Sequence, residues 1–292
     1  MKNLPSYSTA PATSISSTLF YELSNEDCRK FLRTKPDNLV DAVITDPPYG
    51  IGYKGSRWDR FVPTAPLWRE VLRVMRPGAF IVAASAAKTQ HMTALALDKA
   101  GFEIKDLLVW HYTQSFPGAV SIDGPWRSNL RTNHDPWIVA RKPLEKGLTL
   151  KENWDKWGTG AVRTGATGTS WQTNVVSCPK PSRADRDLGL TGLVKKKKMN
   201  GSPDSGYFTS AVAANNHATV KPIALMRKLN QLFCADGGVI LDPFMGSGTT
   251  GIAALADGYQ FLGCEIDKKQ FRNACLRIDH GHRHSNTVPQ AA

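Results

Sequence analysis

Toward its C-terminal end the chain reads Gly246-Ser247-Gly248-Thr249-Thr250-Gly251, a G-x-G-x-x-G run between an apolar segment, Val239 to Leu241, and a helical one, Ile252 to Asp257. Glycines at that spacing let a strand turn sharply into a helix, so the run predicts a nucleotide-binding β-turn-α unit of an open α/β sheet. The next strand candidate, Gln260 to Cys264, ends in Glu265, nineteen residues after Gly246, where a carboxylate can face ribose hydroxyls. A bare glycine triplet is a weak signal; strand, helix and acidic residue together make it strong. Thr249 stands where a Walker loop needs lysine, which excludes that class.

A second strand end carries different chemistry. The apolar run Val40 to Thr45 reads as a buried strand and is followed by Asp46-Pro47-Pro48-Tyr49-Gly50. In open α/β sheets, ligands bind at the carboxyl ends of the strands. Consecutive prolines stiffen the backbone and remove two donors, leaving carbonyl oxygens free to accept hydrogen bonds. With a carboxylate and an aromatic ring beside them, the group suits the grip of an exocyclic amine on a flat heterocycle.

Elsewhere helix and strand signals alternate. Strands are expected at Thr18 to Leu23, Ala79 to Ala84, within Phe102 to Tyr112 and at Trp137 to Ala140, and helices over Pro66 to Met75, Gln90 to Ala100, Ile223 to Cys234 and Phe271 to Ile278. Such alternation predicts a mainly parallel sheet covered on both faces. Residues 1–17, rich in Ser, Thr and Pro, read as a disordered lead; 18–143 and 217–280 read as two halves of one domain, with an insertion at 144–216 and a polar tail at 281–292. Apolar periodicity fades in the insertion, and between Arg141 and Lys198 thirteen Lys/Arg face five Asp/Glu. Trp154, Trp157 and Trp171 could stack on bases or form a small core there, and the core is the favoured expectation. No run approaches the roughly 18 apolar residues of a membrane span. The five cysteines lack metal or disulfide spacing, which fits a cytoplasmic location, and the net charge of +12 points to a polyanionic partner, nucleic acid first.

The glycine turn leaves two cofactors to compare. A dinucleotide brings a pyrophosphate to the helix N-terminus and asks for a second βαβ half, yet one strand and one helix follow here. Asp242 ends the strand before the turn and adds negative charge, which suits a ligand carrying ammonium and sulfonium, S-adenosylmethionine, better than a pyrophosphate.

With both motifs placed, the chain resembles DNA amino-methyltransferases of the β order, in which the Asp-Pro-Pro-Tyr half precedes the cofactor half and a target-recognition insertion lies between. The likeness runs from about Thr18 to Ile278 and is closest to phage and prophage adenine methylases. It is carried by Val40 to Gly50, Trp68 to Ser85, Ala100 to Trp110, His134 to Pro143, His217 to Pro222 and Leu241 to Thr250. The resemblance implies a seven-stranded Rossmann-like sheet with helices on both faces and permuted motif order. Val239 to Leu241, Gln260 to Cys264, Thr18 to Leu23 and Val40 to Thr45 would be its first to fourth strands. It further implies S-adenosylmethionine as cofactor, no metal, and double-stranded DNA as substrate, from which the target base is flipped into the pocket.

By the same resemblance Asp46, Pro47, Pro48 and Tyr49 are catalytic: Asp46 and the Pro47 carbonyl hold the amine of adenine while Tyr49 stacks on the base. Asp46 again, with Asp242, Pro243, Phe244, Gly246, Ser247, Gly248, Thr249, Glu265 and Asp267, would hold the cofactor, with His217, Thr219, Lys221 and Pro222 at its methionine end. Asp27 reads as a helix cap on its own and as an adenine-facing carboxylate under the resemblance. DNA contacts are expected from Lys195, Lys196, Lys197, Lys198, Arg163 and Arg183. A solvated loop is the usual fate of a charge run, but beside a base-handling site phosphate contact is equally expected. Cytosine N4 methylation uses the same geometry, and a nicotinamide oxidoreductase is the reading from another class. Cytosine C5 chemistry is disfavoured, since no Pro-Cys dipeptide is present. Neither a homodimer nor a partner restriction endonuclease is specified by these residues.

Overall fold

The computed structural model describes residues 20–114, 119–165, 172–190, 196–200, 209–215, 217 and 219–284. In chain order the strands are β1 (Tyr21–Ser24), β2 (Val40–Thr45), β3 (Met75–Ala84), β4 (Glu103–His111), β5 (Ser121–Asp123), β6 (Trp126–Arg127), β7 (His134–Arg141), β8 (Val175–Ser177), β9 (Lys196–Asn200), β10 (Thr209–Ala213), β11 (Val239–Asp242) and β12 (Gln260–Cys264). The helices are α1 (Cys28–Arg33), α2 (Ala65–Val74), α3 (Gln90–Ala100), α4 (Leu150–Trp157), α5 (Arg183–Asp187), α6 (Ile223–Phe233), α7 (Thr249–Ala256) and α8 (Lys268–Arg283).

The central sheet has the order β1-β12-β11-β2-β3-β7-β4-β8. Its pairings are parallel except where β7 runs antiparallel to β3 and β4. The period of two along each strand divides the apolar residues between two cores. Ala42, Ile44, Phe80 and Val82 pack with α6 and α7 on one face. Val43, Ile81 and Ala83 pack with Phe31, Trp68 and Leu97 of α1, α2 and α3 on the other. Both faces being covered explains why β2 is buried at every position. The neighbours β1, β12, β11 and β2 stand as the resemblance implied for strands three, two, one and four.

Several boundaries differ from the expectations. The sheet has eight strands rather than seven, the last being the three-residue β8 from the 144–216 region. Strand β3 starts at Met75 instead of Ala79, because Pro77 and Gly78 (φ 82°) are absorbed at a register shift between β2 and β3 rather than ending the helix alone. Helix α4, closed by a Thr149–Glu152 capping box, docks on that irregularity: the buried Asn153 donates to the carbonyls of Pro77 and Thr159, both at 3.0 Å. Part of the presumed insertion is therefore built into the main body. Trp154 is exposed and Trp157 donates to Glu145, so the expected tryptophan core does not form; Trp171 lies outside the described residues.

Helix α8 continues five residues past Ile278, into the stretch read as a polar tail. Asp267 caps its first turn, Arg283 complements the dipole at its last turn, and a Cβ on Gly281 would lie 2.9 Å from Ile252, so only glycine admits that approach. The lead at 1–17 and most of the tail fall outside the described residues. Among the described residues no helix is long and apolar enough to cross a membrane.

Candidate active site

Strands β2 and β11 are parallel neighbours with Leu241 opposite Val43, so Asp46 and the glycine turn leave the sheet at the same edge. A buried bond fixes their distance: Thr45 Oγ1, one residue before Asp46, donates to Asp242 Oδ1 at 2.7 Å. Between the two strand ends opens a cavity of about 1370 Å³, lined by Asp46 to Tyr49 on one side and by Asp242, Phe244 to Ser247, Thr249, Glu265 and Asp267 on the other. That exceeds the roughly 300–1,000 Å³ of a single-ligand pocket, leaving room for two reactants.

At one pole, Asp46 is held from two directions. Lys221 Nζ lies 2.5 Å from Asp46 Oδ2 and donates to Tyr49 Oη at 3.0 Å, while Tyr49 Oη donates to Asp46 Oδ1 at 2.8 Å. Lysine 221 is buried, so this pair lies largely out of water. Burial, with Asp46 beside it, pushes the Tyr49 phenol well above its ordinary range and keeps it a neutral donor. The backbone here is fixed by Asp59, a buried carboxylate accepting the N–H groups of Tyr49 (2.5 Å), Gly50 (3.1 Å) and Tyr53 (2.9 Å). Thr89 Oγ1 donates to the Tyr49 carbonyl at 2.6 Å.

Deeper along the same wall, Tyr112 Oη donates to Asp135 Oδ1 at 3.1 Å, and Lys180 Nζ stands 4.2 Å over the Tyr112 ring. Burial raises the Asp135 carboxyl, while Lys221 nearby pulls it back down.

The other pole is the glycine turn. Gly246 (φ 53°) and Gly248 (φ 81°) adopt left-handed backbone, and a Cβ on Gly246 would come within 2.9 Å of His217 Nε2. His217 is thereby packed on the turn, and burial lowers its imidazole to about 4, leaving it neutral. Asp242 accepts from Thr45, Thr250 (2.6 Å) and Phe244 N (3.1 Å); burial raises it to about 6. With three donors already satisfied, this carboxylate ties the turn to β2 and keeps little capacity for a ligand. Glu265 accepts from Gly246 N (2.9 Å) and Asp267 N (2.8 Å), retaining lone pairs toward the cavity, and burial raises its carboxyl. Gln270 Oε1, in the same wall, is buried with no hydrogen-bond partner and suits a hydroxyl or amine donor.

Three residues of the cofactor list have other tasks. Pro222 caps α6, Pro243 accepts a bond from Cys264 Sγ at 3.3 Å, and Gly248 caps α7. Asp27 follows the cap reading: it accepts from Arg29 N and is gripped by the Arg29 guanidinium at 2.8 and 3.0 Å, and it does not line the cavity. Arg163 pairs with Asp236 at 2.6 Å, just before the start of β11 and so at the edge opposite the cavity. Arg183 is exposed on α5; Lys196 to Lys198 run in β9, paired with β10, while Lys195 lies outside the described residues.

Sequence reasoning overlooked Asp59, Asp135, Lys180, Gln270 and, most consequentially, Arg277. Its buried guanidinium donates to Ser247 O (2.5 Å), Ser247 Oγ (3.1 Å), Thr249 Oγ1 (3.3 Å) and Asp185 O (2.6 Å), joining the turn to α5. Burial lowers it to about 10, still a cation at neutral pH. Its position between Ala274 and Ile278 on the apolar stripe of α8 is the signal that could have found it. Arg186 on α5 donates to the His217 carbonyl at 2.6 Å.

Comparison with known proteins gives a coherent picture. The family model described as DNA methylase, spanning N6 and N4 enzymes, matches residues 40–275. The type II methyltransferase M.HindIII of Haemophilus influenzae is 28% identical, covering 87% of this chain and 94% of that one. The DNA adenine methyltransferase YhdJ of Escherichia coli is 25% identical over 87% of this chain and 81% of its own. Among solved structures, the complex of M1.HpyAVI with SAM superposes with a TM-score of 0.53 at 19% identity, covering 88% of this chain and all (100%) of that one.

Proposed function

Because this chain belongs to the N6/N4 DNA methylase family, we propose that it transfers a methyl group from S-adenosylmethionine to the exocyclic N6 of an adenine in double-stranded DNA. The observation that carries the reading is the single cavity in which Asp46 and the Gly246 turn meet, with Thr45 bonded to Asp242 between them. The cofactor wall fits a cationic donor: residues 242–270 contribute Asp242, Glu265 and Asp267 to the lining and no Lys or Arg, and Gln270 Oε1 awaits a donor. A pyrophosphate would meet carboxylates there, which weighs against the nicotinamide alternative.

When bound, S-adenosylmethionine supplies an electrophilic methyl group on a sulfonium. The chain's own part is to position and desolvate. Glu265 and Gln270 have acceptor capacity for ribose hydroxyls, and His217, neutral and packed on the turn, adds no positive charge near a sulfonium. Asp46 accepts hydrogens of the base amine, which concentrates electron density on a nitrogen whose lone pair is otherwise delocalised. For that, the amine takes over acceptor sites now shared by Lys221 and Tyr49. Tyr49, fixed through its hydroxyl, offers its ring to the base, and Asp46 receives the proton the amine gives up. Positioning and preorganised charge carry the rate. Because the base must leave the duplex to reach this cavity, the substrate is a flipped nucleotide.

Adenine is preferred over cytosine on Asp as the first residue of the Asp-Pro-Pro-Tyr motif and on the adenine activity named for YhdJ. Long-read modification mapping of DNA from cells expressing the protein tests this directly. N6-methyladenine in one sequence context, lost in Asp46→Ala, is expected. N4-methylcytosine would overturn the choice of base, and unmodified DNA the whole reading.

A further inference from the structure

We propose that the β5–β6 hairpin is a wedge that enters the duplex and fills the gap left by the flipped base, with Trp126 as its leading side chain; this rests on the methyltransferase reading above. The hairpin lies between β4 and β7. Because His111 pairs with His134, the whole connection projects from the carboxyl edge that holds the cavity. Its stem residues Thr132 and His134 line the cavity itself.

The hairpin is well formed yet supported by no core. Ser121 pairs with Arg127, Ser128 N donates to Val120 O at 3.0 Å, and Arg127 closes the tip through the carbonyls of Gly124 (2.7 Å) and Trp126 (2.8 Å). Every residue from 120 to 133 is exposed. Among them are Val120, Ile122, Trp126 (71% exposed) and Leu130 (93% exposed). Large apolar side chains gathered on one projecting element mark an interaction surface. An isolated hairpin is marginal in water, so retaining this one fits a partner that covers it.

Two observations select DNA as that partner. The charged groups of the stretch are Arg127, Arg131 and the one acid Asp123, a positive balance suited to phosphates on a chain of net charge +12. The location matters more: an extruded base leaves an unstacked step beside the pocket it enters, and apolar side chains commonly occupy such steps. The loop pinned by Asp59, which follows β2 at the same carboxyl edge, adds further exposed apolar side chains, with Trp58 and Ile51 in the cavity lining and Phe61 (80% exposed) nearby in sequence. DNA would contact both.

The test uses the duplex site found by modification mapping, and the same duplex with the base opposite the target removed. Extrusion from the second substrate needs no wedge, because the target is already unpaired. Trp126→Ala with Ile122→Ala should lower methyl transfer on the intact duplex at least tenfold, yet stay within about threefold of the unaltered protein on the unpaired target. Thermal stability and S-adenosylmethionine binding should be unchanged, since these side chains touch neither the core nor the turn. Equal loss on both substrates, or none on either, overturns the wedge while leaving the enzyme assignment intact. So does a sedimentation shift from dimer to monomer in the variant, which would make the hairpin a contact between copies of this chain. If the unaltered protein methylates no DNA, the methyltransferase reading falls and the wedge with it.

Discussion

Replacing Arg277 tests whether the cofactor turn is held from behind. Its buried guanidinium serves three acceptors on Ser247 and Thr249 and one on Asp185. Arg277→Met keeps much of the volume and removes every one of these bonds. It strands the buried Ser247 carbonyl at about 1–3 kcal/mol, and takes a donor from the half-buried Asp185 carbonyl and from the buried hydroxyls of Ser247 and Thr249 at about 0.5–1.5 kcal/mol each. Relief of the buried charge offsets part of that loss, so a net destabilisation of about 2–4 kcal/mol is expected. For a chain of this size each kcal/mol lowers Tm by about 2–4 °C, so about 3 kcal/mol corresponds to roughly 6–12 °C. The loosened turn should also weaken S-adenosylmethionine binding about tenfold, or about 1.4 kcal/mol. Thermal unfolding and titration calorimetry read the two effects. Arg277→Lys should rescue less than half of either, because one ammonium cannot span Ser247 and Asp185 as the planar fork does. Asp185→Ala is the control: Arg277 bonds the backbone carbonyl there, so that variant should lose its capping interaction with Ser182 and the attraction of the Asp185 carboxylate for Arg277, about 1–2 kcal/mol together, while every bond from Arg277 to the turn stays and cofactor affinity changes less than threefold. An Arg277→Met protein with unaltered Tm and unaltered affinity would refute the account.

Two further outcomes follow from the site. Lys221→Met removes the cation from a largely buried carboxylate, a change worth about 3–5 kcal/mol, and should slow methyl transfer at least a hundredfold while changing S-adenosylmethionine affinity less than threefold. A large loss of affinity with retained turnover would return Lys221 to the cofactor side, where the family resemblance put it. The pH dependence of stability should reveal His217. Its folded value near 4 lies below the usual 6.5, so the unfolded chain binds more protons between these values, and the folded state loses stability as pH falls from about 6.5 to 4, up to about 3 kcal/mol. Asp242 has the opposite sign: its folded value near 6 lies above the ordinary aspartate value, so the folded state gains stability over about the same window. The two contributions nearly cancel in the unaltered protein. In His217→Asn the opposing histidine contribution is gone while the raised carboxyls of Asp242, Glu265 and Asp135 remain, and urea unfolding should show stability higher on acidification from pH 6.5 to 4.5 than in the unaltered protein. Parallel pH profiles for the two proteins would contradict the burial argument.

The parts legible in the sequence are those with a local cause. Val40 to Thr45 is buried at every position, and apolar but for Asp41 and Thr45, because both faces of a central parallel strand are covered, and the glycine triplet marks a turn that a Cβ would obstruct. The common edge of the two motifs followed from the resemblance, and the register of β11 with β2 bears it out. What stayed hidden depends on partners distant in sequence. Lys221 meets Asp46 across 175 positions, and nothing near Lys221 announces a carboxylate. Arg277 reads as one more basic residue on a basic helix until Ser247 and Asp185 stand on either side of it. Asp27 offered two roles, and the Arg29 guanidinium two residues away favours the cap. The hairpin at 120–131 was invisible for a different reason: with no buried face it leaves no periodicity to read.

These long-range contacts explain how a site divided between distant halves of the chain keeps one geometry. Thr45 and Asp242 lock the two strand ends together at the front of the sheet, and a hydroxyl–carboxylate bond shielded from water resists sliding of one strand past the other. Behind the turn, Arg277 reaches from α8 to Ser247 and to α5. From α5, Arg186 reaches the carbonyl of His217, four residues before the lysine that holds Asp46. The described bonds thus reach the turn from two sides: Arg186 and Arg277 join His217, α5 and the glycine turn, and Asp242 and Thr45 join that turn to the strand that carries Asp46. Buried bonds before and behind the turn therefore set the position of Gly246 against the strand end that carries Asp46. Transfer of a group between two bound partners, where an error of about 1 Å can cost a hundredfold in rate, requires that rigidity.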